Sequence, residues 1–328
     1  MKYNLIIIIL FLVCACKPKP ELKLQVNSAP TLSVKYDNKY YSFFEVNILN
    51  EDKSPTGLTK KYFYILSDDF KIENKIDLPE NVDENYIDLF ANHDSIFIKN
   101  YYDTTSFYLD EENQKWKEIN STDDVVFEDD KYYITALDFG EWGSRIWFKD
   151  KKTNVEYETS SSFAPEVIKL DGAYYIITDK NVDVVANPHK LKLSTRKSAY
   201  SYLRKDPYKL FSYDGYSRQG ITELYEGDFM IAESRKFFIV KSFIKNKQLK
   251  HIIADDGKLL IATIEDGKLK LISTIGDNMY VYSGTGYYRN RNLNQALAFY
   301  SPSKKAYGYI EIKNGHVLLH YLKNLKSH

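Results

Sequence analysis

Two cysteines in 328 residues, Cys14 and Cys16, are all that this chain offers to thiol chemistry. They stand two apart near the N-terminus. A disulfide between them would be badly strained, and a lone C-x-C supplies too few ligands for zinc. A C-x-x-C redox motif beside a βαβ pattern is absent. An excess of either charge is absent too. Lys+Arg and Asp+Glu are both 45, so the formal net charge is zero. No global field draws the chain to nucleic acid or to an anionic membrane, and no nucleic-acid partner is expected. Long helical periodicity is nearly missing, with one weak candidate around residues 194–211. There is no G-x-S-x-G elbow, no P-loop and no Rossmann glycine pattern. The six histidines are scattered, at His93, His189, His251, His316, His320 and His328. On the strand expected there, His316 and His320 lie ~13 Å apart, too far to share one ion. No metal is expected from them, and nothing in the sequence asks for a cofactor.

What is present is apolar and aromatic. Residues of the apolar classes make up 44% of the chain, enough for a substantial core. Aromatics reach 15%, with 29 tyrosines. Tyrosine favours strands and carries an apolar body with a polar tip.

Residues 1–4 carry one lysine, and residues 5–15, LIIIILFLVCA, carry no charge. Eleven residues are too few to span a ~30 Å hydrocarbon core, which takes about 20 in a helix. The length suits a signal-peptide h-region behind a charged n-region. The run ends at Val13-Cys14-Ala15-Cys16. This resembles a bacterial lipobox, in which a small residue precedes the lipid-modified cysteine. Ala15 meets that need for Cys16, whereas Cys14 would follow the larger Val13. The resemblance implies that residues 1–15 are removed and that Cys16 becomes the lipidated first residue. The membrane is then a partner through the N-terminal lipid. The mature chain keeps no other cysteine, so its fold must stand without disulfides. Residues 16–25, with Lys17, Pro18, Lys19 and Pro20, read as a tether. Lipoproteins of didermal bacteria often carry Asp after the lipidated cysteine when they stay at the inner membrane. Lys17 stands there, so by that resemblance the outer membrane is favoured if the organism has one.

From residue 26 onward the chain reads as one all-β domain. Short runs rich in Tyr, Phe, Ile and Val, such as TLSVKY (31–36), KYYITAL (131–137) and KLLIATI (258–264), alternate with turn clusters. The Asp-Gly steps at 171–172, 256–257 and 266–267 suit tight hairpins, because both residues tolerate positive φ. A polar turn followed by an aromatic-aliphatic strand recurs. Ile96 to Tyr132 is 36 residues and Tyr132 to Tyr174 is 42, the size of a three- or four-stranded β-propeller blade. The next steps, 55 to Phe229 and 30 to Leu259, fit less cleanly. Some 300 residues at about 40–50 per blade give six or seven blades. Two β-sandwich domains are the alternative. Ring closure is expected to pair residues 31–36 with residues 316–322, and residues 189–220 read as an insertion.

Three places carry candidate function. DFGEWGSRIWF (138–148) sets Glu141 and Trp142 between two glycines, with Arg145 following. Such a loop can contact a sugar or peptide, Trp142 as a stacking plate and Glu141 or Arg145 as polar contacts. It equally suits a plain hairpin turn. Residues 189–220 hold eight Lys/Arg against Asp206 and Asp214, with five tyrosines, and could meet an anionic glycan, a lipid headgroup or an acidic partner. Residues 101–130 hold ten Asp/Glu against Lys115 and Lys117, and could answer that basic stretch. Either stretch can simply be solvated surface. Together these features describe a lipid-anchored cell-envelope protein that binds a ligand, with a glycan or an envelope protein as partner. Two other readings stand beside it: a propeller-type hydrolase acting on glycans, with Glu141 in a paired-carboxylate role, and a structural component of an envelope assembly.

Overall fold

Six hairpins turn on two residues that both have positive φ: Asp37-Asn38, Asp171-Gly172, Asn246-Lys247, Asp256-Gly257, Asp266-Gly267 and Asn314-Gly315. This geometry matches the right-handed twist of the strands that it joins, which is why Asn, Asp and Gly dominate it. It fixes register from the loop outward. Leu170 faces Ala173, Asp255 faces Lys258 and Glu265 faces Lys268. The three Asp-Gly steps read from the sequence are all among these turns.

The computed structural model describes residues 28–49, 55–82, 87–92, 95–100, 105–120, 125–138, 144–161, 166–194, 217–227, 237–282 and 296–326. Their strands form six antiparallel sheets, arranged as a six-bladed β-propeller. Blade 1 is β1 (Ser28–Tyr36), β2 (Lys39–Leu49), β3 (Pro55–Ser67) and β4 (Ile72–Ile76). Blade 2 is β5 (Ile87–Asn92), β6 (Ser95–Asn100), β7 (Thr105–Asp110) and β8 (Lys115–Asn120). Blade 3 is β9 (Val125–Glu128), β10 (Tyr132–Asp138), β11 (Ser144–Asp150) and β12 (Glu156–Ser161). Blade 4 begins with β13 (Glu166–Leu170), β14 (Ala173–Ile177) and β15 (Asn181–Val185). The chain then makes a 3-10 turn (Pro188–Lys190) and adds β16 (Lys192–Leu193) to the outer edge of β12 in blade 3. It returns as β17 (Thr222–Glu226), the outer strand of blade 4. Blade 5 is β18 (Phe237–Lys245), β19 (Gln248–Asp255), β20 (Lys258–Glu265) and β21 (Lys268–Asp277). Blade 6 is β22 (Tyr280–Tyr282), β23 (Leu297–Ser301), β24 (Ala306–Lys313) and β25 (His316–Lys326). The two-sandwich alternative does not fit these six separate sheets.

The spacing of aromatic-aliphatic runs is explained by this order. Ile96, Tyr132 and Tyr174 all lie in the second strand of their blades, so the intervals of 36 and 42 residues are blade repeats. Leu259 lies in a third strand, so the interval ending there spans different strand positions. Phe229 and residues 195–211 lie outside the described residues.

Ring closure differs from expectation. Residues 31–36 pair with β2, and residues 316–322 pair with β24, each within its own blade. Blades 1 and 6 instead meet face to face. Tyr40, Phe44, Tyr64 and Leu66 pack against Ala296, Ala298, Tyr309 and Leu322. The Ala296 N–H donates to the Ser33 carbonyl at 3.0 Å, and Lys35 Nζ reaches Glu311 Oε1 at 2.9 Å. Both terminal strands already have in-blade partners fixed by two-residue turns, so neither is left to be exchanged.

Candidate functional site

Strand alternation sends each blade's side chains to its two neighbours, so the six seams can be compared directly. Five hold a buried apolar cluster. Blades 1 and 2 share Phe43, Phe63, Leu89 and Ile98 among others. Blades 3 and 4 share Ile134, Phe148, Tyr174 and Ile176. Blades 4 and 5 join through Ile177, Val182, Ile239 and Ile253, and blades 5 and 6 through Val240, Ile252, Leu297 and Phe299. The seam between blades 6 and 1 is described above. Among the described residues no such cluster bridges blades 2 and 3.

The face of blade 2 turned away from blade 1 bears two cross-strand rows. Asp88, Lys99, Ser106 and Ile119 form one, and Phe90, Phe97, Tyr108 and Lys117 the other. The matching face of blade 3 bears Thr135, Trp147 and Glu158 in one row, with Tyr133, Lys149 and Glu156 nearer the β9–β10 turn. Burial divides the seam in two. Lys99, Ser106, Thr135, Trp147 and Glu158 are buried, whereas Phe90, Phe97 and Tyr108 are half-buried and Tyr133 is 40% exposed. The buried half is polar. The Trp147 indole N–H donates to Glu158 Oε2 at 3.3 Å, and Arg145 and Lys192 stand 3.8 and 3.6 Å from its other oxygen.

Arg145 is therefore committed to a carboxylate within its own blade, and it shares a wall of this seam with Trp147. Glu141 and Trp142 lie outside the described residues, as does Cys16. Of residues 189–220, the described part is pinned to the ring. Arg218 donates to both oxygens of buried Asp183 at 2.8 Å, and the Ser160 N–H donates to the Ser217 carbonyl at 3.2 Å. Within residues 101–130, Asp129 turns to blade 4, where it meets Lys169 and Tyr174.

Two other clusters invite a chemical reading. Asp68 and Glu311 both reach Lys35, at 2.6 and 2.9 Å, with His320 on the far oxygen of Glu311. Burial pushes the Glu311 carboxyl up, but Lys35 and His320 outweigh it and hold it below its ordinary value. An acid catalyst needs the opposite shift. His316 sits on the β24–β25 turn, opposite Lys313. Among the described residues no group of three His, Cys, Asp or Glu could hold a metal ion.

Ser242 Oγ stands 2.8 Å from His251 Nδ1, a spacing seen between nucleophile and base. His251 is 1% exposed, so no substrate reaches it. Its burial, helped by Lys250, pushes the imidazole down to about 4. The sign of the consequence is clear. The native state releases the proton that the unfolded chain keeps below pH 6.5, so stability is full above that pH and falls toward pH 4. The loss is expected to reach about 3 kcal/mol at pH 4. Urea unfolding at a series of pH values should show this slope in the parent protein and a flatter one in His251→Leu.

No known family model matches the chain, and no curated protein matches it. Among solved structures, the β-propeller domain of Cps50 (Swd1) from Myceliophteria thermophila is 11% identical, with a TM-score of 0.38, covering 93% of this chain and 89% of that one. A protein of unknown function from Bacteroides caccae is 10% identical, with a TM-score of 0.33, covering 91% and 96%. A putative 6-phosphogluconolactonase from Bacteroides fragilis is 11% identical, with a TM-score of 0.31, covering 92% and 96%. Likeness at this level says nothing about the chemistry of the seam.

The seam aromatics were not singled out from the sequence. Paired aromatics such as Tyr132-Tyr133 were visible, and alternation implies that they face opposite ways. Tyr132 belongs to the cluster with blade 4, and Tyr133 faces the open seam. Which of the two faces meets an apolar cluster was not written locally.

Proposed function

We propose that this chain is a lipid-anchored cell-envelope protein whose propeller binds a ligand or protein partner in the exposed half of the seam between blades 2 and 3. The observation that carries this reading is the absence, among the described residues, of an apolar cluster there, while Phe90, Phe97, Tyr108 and Tyr133 remain partly solvated. Aromatic side chains left in water on one face of an otherwise well-packed ring mark a surface with something to cover it. Cys16 would carry the lipid, residues 16–25 the tether, and the outer membrane is the favoured address in a didermal cell.

Two measurements test the reading. Metabolic labelling with a fatty-acid analogue should mark the parent protein and Cys14→Ser but not Cys16→Ser. Label retained in Cys16→Ser overturns the anchor. A screen of glycans, peptidoglycan fragments and envelope proteins against the full-length protein should return a ligand whose binding is lost in the Phe97→Ser/Tyr133→Ser double variant. A ligand indifferent to both substitutions places the site elsewhere.

A further inference from the structure

Resting on the lipid anchor of that reading, we infer that the ring stands with the face on which β1 begins toward the membrane. The exposed half of the seam between blades 2 and 3 then opens on the far side. Chain direction defines the two faces. The first strands of neighbouring blades lie against one another, β1 with β5, β9 with β13 and β13 with β18, around the axis of the ring. Radial repetition makes them run the same way, from a near face to a far face. Each turns back at the far face, through Asp37-Asn38 in blade 1, Asp171-Gly172 in blade 4 and Asn246-Lys247 in blade 5. The near face holds Ser28 and, paired beside it, the end of β2. It also holds the starts of β9 and β22, at Val125 and Tyr280.

A lipid at Cys16 therefore pulls on one face. Residues 16–27 number twelve and span at most ~42 Å. They join the ring beside its axis, on the near face. With that face down, the lipid can lie directly beneath Ser28. With the far face down, the same residues must first cross a blade to its rim, three strand spacings or ~14 Å. They must then pass the height of a blade. Even blade 2, with six-residue strands, adds ~20 Å before its turns and side chains are cleared. That route draws the twelve residues nearly taut, and a taut chain gives up conformational freedom. Charge and apolarity favour neither face. Asp256 and Lys258 are exposed on the near one, Asp171 and Lys247 on the far one. Ile48, Val125 and Tyr280 are exposed on the near face, and Ile244 and Leu318 on the far face. Reach is what separates them. The seam aromatics lie toward the far face, where Phe90 and Phe97 flank the β5–β6 connection and Tyr133 follows the β9–β10 turn. A partner of the seam then arrives from the side away from the bilayer.

The test uses the full-length lipoprotein in vesicles of phosphatidylethanolamine and phosphatidylglycerol that carry a rhodamine headgroup lipid. A chain lipidated at Cys16 and cut before it has no other thiol, so an introduced cysteine is the only site for a donor dye. Energy transfer to the lipid from Ile48→Cys, Val125→Cys and Tyr280→Cys should exceed that from Glu112→Cys, Asp171→Cys and Lys247→Cys severalfold. All six positions are exposed, so the fold should tolerate the label. A Gly-Ser insert of about twenty residues after Gln25 should bring the two sets together, because the far face then comes within easy reach. Equal transfer without the insert, or more from the far-face set, overturns the inference. A difference that survives the insert overturns it too, since reach is then not what orients the ring. Flotation separates these failures from failure of the anchor. If the parent protein floats with the vesicles and Cys16→Ser does not, the anchor stands whatever the orientation. If the parent does not float, anchor and orientation fall together.

Discussion

Lys241→Met is expected to destabilise the protein by about 3–5 kcal/mol, and Lys241→Met combined with Glu166→Gln by much less. Lys241 on β18 and Glu166 on β13 form an ion pair of 2.6 Å with side chains only 5% and 7% exposed. The pair joins the first strands of blades 4 and 5. Its contribution comes less from attraction than from what remains when one member is lost. A lone carboxylate in that environment keeps the cost of desolvation without the partner that offset it, and such losses run about 3–5 kcal/mol. The other oxygen of Glu166 accepts from the Ser242 N–H at 3.1 Å, which lessens that cost without removing it. The neutral Gln removes the stranded charge, so the double variant should recover most of the loss. Urea unfolding of both single variants and the double measures the coupling. Additive single effects would mean that the two side chains do not depend on each other in solution.

Phe43→Ala should cost about 3–5 kcal/mol, and Phe97→Ala less than about 1.5 kcal/mol. The two residues have the same chemistry and lie in the second strands of adjacent blades. Phe43 is fully buried between blades 1 and 2, with its ring edge-on to Phe63 at 5.0 Å. Truncating it removes apolar burial and leaves a cavity with packed walls that relax only in part. Phe97 faces the seam where, among the described residues, no buried apolar cluster lies, and its ring is already partly in water. Truncating it opens solvent-accessible space rather than a cavity. The contrast measures the asymmetry of the ring by thermodynamics alone, with no ligand. Equal losses at the two positions would show that the seam between blades 2 and 3 packs like the others, and would remove the ground for placing a site there.

Much of the architecture was legible because its determinants are local. Two-residue turns that need positive φ announce themselves as Asp-Gly, and they fix the register of the strands beside them. Alternation within KYYITAL (131–137) and SRIWFKD (144–150) separates two faces in each strand. Blade number was bounded by length and repeat size, and the interval ending at Leu259 fitted the repeat less cleanly because Leu259 lies in a third strand. Ring closure was misjudged because it depends on which partners the terminal strands have already taken. β1 and β25 each complete their own blade, so Tyr40, Phe44 and Tyr309 join the ends by packing.

By itself the sequence determined a cysteine-poor all-β body divided into blade-sized units, and which side chains of each strand point together. It also motivated the expectation of a lipid at Cys16. Only the tertiary structure decided that the second face of blade 2 is the one left half-covered. Alternation gives every strand two faces of similar composition. Which of them is covered by apolar side chains depends on what the neighbouring blade presents to it, and that is decided by contacts between residues far apart in the sequence. For the same reason Arg145 was legible as a candidate, while Phe97 and Tyr133 were not. A charged residue among glycines is unusual in one dimension, whereas an exposed aromatic is unusual only once its surroundings are known.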